Sequence, residues 1–267
     1  MYLIGIGKGG SVIAKKIHEM ATEHTLITFD EKDATYLTPK ESQPEKVEEK
    51  FIPPDIDHLH DDICIFICGG GNTPFITLKL LEKWSDFNKT LVYVRPFKKN
   101  LSKTEETREK VLFEVLKSYC LSGKFKLVVF DDNEITSKVG SSPVLSYYSK
   151  INQFISWIVL TYMIAKEDQP LLGKYNEPEQ HSMITTLSVK RGKEGEYIDG
   201  SIIEHYRGKN FLFLVEKSAL HEDETLLEYV ESEVERWNSE YSSNSYVIYE
   251  SYNDESLCIV ETYTNNF

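Results

Sequence analysis

The chain has 267 residues, 40% of them hydrophobic, and a formal net charge of −13 from 43 acidic against 30 basic side chains. That length supports a sizeable core in one large domain or two modest ones. The acidic balance argues against a direct grip on nucleic acid or on an anionic membrane, and no apolar run approaches the roughly 20 residues of a membrane span.

The N-terminus opens directly on the apolar, β-prone run Tyr2–Ile6 instead of a basic leader and cleavage site, which predicts a cytoplasmic protein. A glycine-rich turn follows, Gly5-Ile-Gly7-Lys-Gly9-Gly10-Ser11, before Val12, Ile13, Ile17 and Met20 mark one face of a helix. Gly5, Gly7 and Gly10 satisfy G-x-G-x-x-G, and the strand-like run Thr25–Phe29 ends at Asp30, where a dinucleotide-binding fold places its ribose acid. The Walker pattern is absent. Residues 31–60 are polar and proline-containing without clear periodicity, and read as a long excursion with room for one short strand. Within it Asp55, Asp57, His58, His60, Asp61 and Asp62 are metal-ligand types, but no second cluster supports them, so they read as solvated and no metal site is predicted.

Ile63–Cys68 has the length and content of a strand buried on both faces, and Gly69-Gly70-Gly71-Asn72-Thr73-Pro74 leads from it into a helical pattern. Three glycines there let backbone N–H groups approach an anion beside a helix N-terminus, as a phosphate loop does; a plain glycine-rich turn has the same pattern. Thr90–Val94 is the next strand, closing on Arg95-Pro96-Phe97, followed by a helix with Val111, Leu112, Val115 and Leu116 on one face. Lys126–Phe130 is another strand, and Pro143–Lys166 gives the longest apolar helical pattern, apolar around much of its circumference and therefore central. Strands and helices in repeated alternation predict an α/β fold, a Rossmann-like parallel sheet covered by helices on both faces.

Beyond Asp168 the texture changes to strand-like runs at Met183–Val189, Asn210–Val215, Tyr246–Tyr252 and Leu257–Tyr263, with one helix from Thr225 to Trp237 for which Thr225 and Glu228 fit a capping box. The expected division is a nucleotide-binding domain over 1–166, including the long central helix, and a small α+β domain over 167–267. The cysteines, Cys64, Cys68, Cys120 and Cys258, form no C-x-x-C pair and suggest neither disulfides nor zinc.

Together these pieces resemble the tubulin/FtsZ superfamily over the N-terminal two-thirds. Ile4–Ser11 looks like its first glycine loop, Phe29-Asp-Glu-Lys-Asp33-Ala34 is similar to the segment after its second strand, and Cys68-Gly-Gly-Gly71 resembles the start of its signature loop. Val94-Arg-Pro-Phe97 looks like the family's strand ending in Pro-Phe, and Val129-Phe-Asp-Asp-Asn133 falls where a strand leads into its sugar-contact loop. Tyr148 and Asn152 match the aromatic and Asn/Asp pair used for guanine. At i and i+4 they share one helical face, so a ring can stack on a purine while an amide oxygen accepts from N1–H and N2–H₂; a core tyrosine with a polar neighbour has the same spacing.

The resemblance implies GTP/GDP with Mg²⁺ as ligand. Gly7, Gly9, Gly10, Gly69, Gly70, Gly71 and Thr73 would lie on the phosphates, Glu105 and Arg108 near ribose or phosphate, and Tyr148 with Asn152 on the base. It further implies a self-assembling head-to-tail polymer in which an acidic loop of one subunit completes the next subunit's site, with an adaptor as the further candidate partner. The family signature G-G-G-T-G-T-G is shortened here, leaving Thr73 as the comparable hydroxyl. The acidic motif N-x-D-x-x-D has as nearest counterpart Asn176-Glu177-Pro178-Glu179, which nominates Glu177 and Glu179 and equally fits a solvated turn. The small second domain points towards the plasmid- and phage-borne tubulins. Two other readings stand beside this one: a tubulin-fold nucleotide sensor without catalysis, and an NAD-dependent Rossmann-type protein built on Gly5, Gly7, Gly10 and Asp30.

Overall fold

The apolar runs become strands and the amphipathic stretches between them become helices. A computed structural model describes residues 1–29, 35–36, 38, 41, 43–57, 62–139, 144–179, 183–238, 242–252 and 255–267, with backbone alone at 44, 139, 144 and 145. The first half comprises β1 (Tyr2–Ile6), α1 (Gly7–Met20), β2 (Thr25–Phe29), α2 (Pro44–Lys50), β3 (Asp62–Cys68), α3 (Ile76–Lys83), β4 (Asn88–Arg95), α4 (Lys103–Leu121), β5 (Lys126–Asp131), α5 (Asp132–Val139) and the long α6 (Val144–Glu167). The second comprises β6 (Leu172–Gly173), β7 (Ile184–Arg191), β8 (Ile198–Asp199), β9 (Gly208–Val215), α7 (Lys217–Glu222), α8 (Leu226–Glu235), β10 (Ser243–Glu250) and β11 (Leu257–Thr264).

The strands form one sheet in the order β2-β1-β3-β4-β5-β7-β11-β9-β10-β6, with β8 alongside β7. β1 to β5 are parallel, and β7 continues in the same sense through Leu127↔Ile184 and Val128↔Thr185. β11 runs antiparallel to both β7 and β9, and β10 is parallel to β9. By these senses β9 and β10 point the same way as β1 to β5. The ends of the sheet are therefore common to both halves: one is built from the C-terminal ends of the parallel strands, the other from their N-terminal ends.

Side-chain alternation divides the core between the two faces. Leu3, Cys64 and Phe66 face α1 and α6, whereas Ile4, Ile6, Ile63, Ile65 and Ile67 face α3 and α4. Burial on both sides is what the near-continuous apolar runs of β1 and β3 require. Helix α6 places Ile151, Ile155, Ile158, Val159 and Tyr162 in a single cluster with β1, β3, β5, β7, β9, β10 and β11 residues, so one helix covers both halves of the sheet. On the opposite face α8 buries Val230 against Phe211, Phe213, Ile248 and Val260, and a buried Lys190–Glu233 ion pair of 2.8 Å fastens it.

Two local expectations are corrected. The capping box at Thr225 does not form, because the Thr225 hydroxyl donates to Asp223 Oδ1 at 2.8 Å instead of serving a helix N–H. The excursion between β2 and β3 contains the helix α2, which starts with Pro44 at its first turn and seats Val47 in the core, with Phe51 buried just beyond its end.

Candidate functional site

Two glycine turns meet at the C-terminal ends of β1 and β3. Gly7 opens α1 at φ +68°, a left-handed conformation that a side chain disfavours, and a Cβ there would lie 3.7 Å from that of Thr73. The N-terminus of α1 has neither a side-chain cap nor an acid in its first turn, so its orphan N–H groups and partial positive charge are left for another acceptor. Gly9 and Gly10 serve packing. A Cβ would come within 2.5 Å of Cys68 Sγ at Gly9 and within 2.0 Å of the Phe66 carbonyl oxygen at Gly10, which is how α1 lies so close to β3.

In the second turn Gly69 donates its N–H to the Val94 carbonyl at 3.0 Å, which takes that group away from any ligand. Gly70, at φ +90°, sits under Leu101 and Glu105, and Gly71 is exposed beside Pro74. Thr73–Phe75 forms a 3₁₀ turn into α3, again with no side-chain cap and no acid in the first turn. Two polar atoms are buried at this turn without a partner among the described residues, Asn72 Oδ1 and the Tyr93 hydroxyl; a Cβ on Gly69 would lie 2.5 Å from the latter.

Glu105 belongs to a capping box. Ser102 N–H donates to Glu105 Oε2 at 2.8 Å and Glu105 N–H to Ser102 Oγ at 3.3 Å, and the Ser102 hydroxyl and backbone bonds hold the carboxyl below its ordinary range. Arg108 lies one turn further along α4, half-exposed.

Tyr148 and Asn152 are on the first turns of α6. Tyr148 is 56% exposed, and its hydroxyl accepts from Asn100 Nδ2 at 3.5 Å. Asn100 ends the 3₁₀ turn Lys98–Asn100, and its neighbour Leu101 covers Gly70, so one segment links the ring to the second glycine turn. Asn152 is half-buried one turn before Ser156, whose hydroxyl bonds the Ile13 carbonyl of α1 at 3.3 Å. Sequence reasoning placed Asp132 in the segment leading into the sugar-contact loop without a role of its own, and gave no role to Tyr147. Asp132 is buried and accepts from Tyr147 OH at 3.0 Å and from Thr136; burial raises its carboxyl, against those bonds and one from the Phe97 N–H. Tyr147 then stands edge-on to Tyr148, with centroids 5.0 Å apart at 85°. The acid pair Asp131-Asp132 after the apolar run of β5 and the tyrosine pair Tyr147-Tyr148 were the available signals.

The structure thus brings Gly7, Gly70, Gly71, Thr73, Glu105, Tyr148 and Asn152 to one end of the sheet. Glu177 and Glu179 are at the other. Their segment is tied to the first residues of β9 and β10, with Asn176 N–H donating to Ser245 Oγ at 3.3 Å and Asn210 Nδ2 to the Asn176 carbonyl at 2.8 Å. Glu177 accepts from Lys166 Nζ at 2.7 Å at the far end of α6, and both acids line an open cleft of about 660 Å³ with Lys174, Arg207 and Tyr263. Asp30, Asp33, Ala34, His58, His60 and Asp61, which carry the dinucleotide reading, part of the family likeness and the loop acids, lie outside the described residues. Asp55 pairs with Lys83 at 2.6 Å. Among the described residues no helix is long and apolar enough to cross a membrane.

No protein-family profile matches the chain. No curated protein matches it either. Solved structures do. An FtsZ dimer from M. jannaschii, solved empty, superposes with a TM-score of 0.68 at 12% identity, covering 98% of this chain and 87% of that one. TubZ of Clostridium botulinum phage c-st gives 0.59 at 14%, covering 98% and 91%. A GTPγS-form protofilament of TubZ from Bacillus thuringiensis serovar israelensis gives 0.64 at 10%, covering 97% and 85%. The chain has the tubulin/FtsZ fold. In this fold the uncapped start of α1, the shortened glycine turn and the Tyr148–Asn152 face share one end of the sheet. The orphaned Asn72 oxygen and the open side of Gly71 belong to the same end, and the N–H donors there suit a phosphate.

Proposed function

We propose that the protein binds GTP or GDP with Mg²⁺ at the glycine-turn end and assembles head to tail, so that Glu177 and Glu179 of one subunit complete a GTPase site on the next. The observation that carries this reading is the placement of the two residue sets at opposite ends of one sheet, bridged by α6. A single subunit cannot bring them together, whereas a translational contact between copies does, and such heterologous contacts propagate into filaments. Residues 1–166 would form the nucleotide-binding part and 167–267 the part presenting the acidic loop. The net charge of −13 leaves contact with DNA to an adaptor.

Within the site, the first N–H groups of α1 and those of Gly70 and Gly71 hold phosphate oxygens, with Thr73 as hydroxyl donor. Gly9 and Gly10 set how closely α1 approaches, and Arg108 supplies positive charge. Mg²⁺ bound with the phosphates would neutralise charge there. Tyr148 offers its exposed face for stacking and Asn152 its amide oxygen to guanine N1–H and N2–H₂. Glu177 and Glu179 orient and deprotonate the attacking water, Glu177 after release from Lys166.

A second reading, nucleotide binding without turnover, is favoured by two bonds already made: Gly69 N–H to Val94, and Glu177 to Lys166. Calorimetric titration with GDP, GTP, ATP and NAD, with Mg²⁺ present and co-purified ligand removed, tests both. Guanine-selective binding with concentration-dependent GTP turnover and pelleting supports the GTPase. Binding without turnover or pelleting selects the sensor, and saturable NAD binding with no response to GTP overturns both.

A further inference from the structure

One carboxylate stands where an apolar side chain belongs. In β11 the alternation that turns Leu257 and Ile259 towards α6 turns Glu261 the same way, and it is fully buried. An isolated charge there is costly, and even a buried ion pair is often no more stabilising than an apolar replacement of equal volume. Glu261 is paired on every side. Oε1 accepts from Lys126 Nζ of β5 and, at 2.9 Å, from Tyr162 OH of α6, and Lys126 also reaches Tyr162 OH at 2.7 Å. Oε2 accepts from Tyr175 OH and, at 3.0 Å, from Asn210 Nδ2 of β9.

The second oxygen leads to the acidic loop. Tyr175 is two residues before Glu177, and Lys166 lies 3.9 Å from the centre of the Tyr175 ring while it bonds Glu177. Asn210 holds the Asn176 carbonyl at 2.8 Å, and its oxygen accepts from Ser245 Oγ at 2.5 Å; Ser245 in turn accepts from the Asn176 N–H. Both backbone groups of Asn176 and the adjoining Tyr175 ring are thereby referred to one buried atom. We propose that Glu261 is a positioning residue: through Tyr175 and Asn210 it fixes the 174–179 loop so that Glu177 and Glu179 are presented to the nucleotide of the neighbouring subunit. This rests on the GTPase reading above.

The test uses full-length E261Q, which keeps the shape and removes the charge, and Y175F, which removes one hydroxyl. For each, kcat and KM for GTP turnover, GTP affinity by calorimetry, pelleting, and amide exchange across 174–179 are measured. Both variants are expected to pellet and to bind GTP as the wild type does, with kcat lowered about 10- to 100-fold in E261Q and less in Y175F. KM should be unchanged and exchange faster at 174–179. A role confined to stability would lower the melting temperature and leave kcat per folded subunit intact, which overturns the proposal. If E261Q fails to fold, Y175F decides it by the same two readings. A wild type that turns over no GTP overturns the GTPase reading and this one together; a wild type that does so, with folded variants matching it in kcat, overturns this one alone.

Discussion

At the scale of single residues, the glycines of the two turns fall into different physical classes although the sequence presents them alike. Gly10 faces a backbone oxygen that cannot yield, whereas Gly71 meets nothing closer than Pro74 Cδ at 3.4 Å. Gly10→Ala is therefore expected to destabilise by about 1–3 kcal/mol or more in urea titration. Gly71→Ala should change stability by only about 0.5 kcal/mol while weakening GTP binding. Asn152→Ala removes an acceptor specific to guanine and should weaken GTP by about 5- to 30-fold with ATP little changed, in line with one or two lost hydrogen bonds. Equal losses for both nucleotides would remove the guanine assignment. That Gly10 packs instead of lining a cleft was not legible in G-x-G-x-x-G, since the atom opposing it belongs to Phe66 of β3, more than fifty residues away.

At the scale of elements, the parallel half of the sheet was legible almost to its boundaries. Its strands are apolar runs closed by glycine, proline or acid, and both faces demand that composition. Helix α2 was not, for its 7 residues offer little beyond Val47 to mark a buried face. Glu105 is nominated by the family resemblance as a ligand residue; in the structure it also closes a capping box with Ser102 at the start of α4, which the spacing Ser102-x-x-Glu105 made readable. Ser102→Ala should cost about 1 kcal/mol by denaturant unfolding. If Glu105 acts only through the cap, Glu105→Ala and Ser102→Ala will weaken GTP binding equally, and a distinctly larger loss in Glu105→Ala would show direct contact. Glu261 defeated sequence reading, because a glutamate in a strand looks like a solvent-facing position until α6 and Tyr175 are in place around it.

At the scale of the whole molecule, the opposed ends make a mixing experiment decisive. Asn152→Ala is impaired at one end and a Glu177→Ala, Glu179→Ala double variant at the other, so at a GTP concentration that saturates the wild type but lies below the Kd of Asn152→Ala neither alone should turn over GTP efficiently. Mixed, they can form contacts in which an intact nucleotide end meets an intact acidic loop, and turnover should recover to about a quarter of the wild-type rate if neighbours are drawn at random from equal parts. Purely additive residual activity would exclude catalysis across the contact. The buried charge also sets an acid limit. Burial raises the Glu261 carboxyl, and Lys126 with the bonds from Tyr175 and Asn210 more than reverses this, to about 2 from an ordinary 4.5. Among the described residues, Tyr162 and Tyr263 also face it. A lowered carboxyl stabilises the fold above its unfolded value, and that contribution is lost as pH falls from about 4.5 towards 2. The acid limb of wild-type unfolding should accordingly be steeper than that of E261Q.

Two of the points at which bonds anchor helix α6 are Ser156, to the Ile13 carbonyl, and Tyr162, to Glu261. At 3.6 residues per turn, one inserted residue between them would rotate the second point by about 100° and carry the tyrosine away from its carboxylate, whereas seven would restore its bearing to within about 20° while lengthening the helix by about 10 Å. Inheritance of this segment is thus arithmetically constrained. Relatives that keep both anchors should differ in residue identity but hardly in length between them, even where almost everything else has drifted.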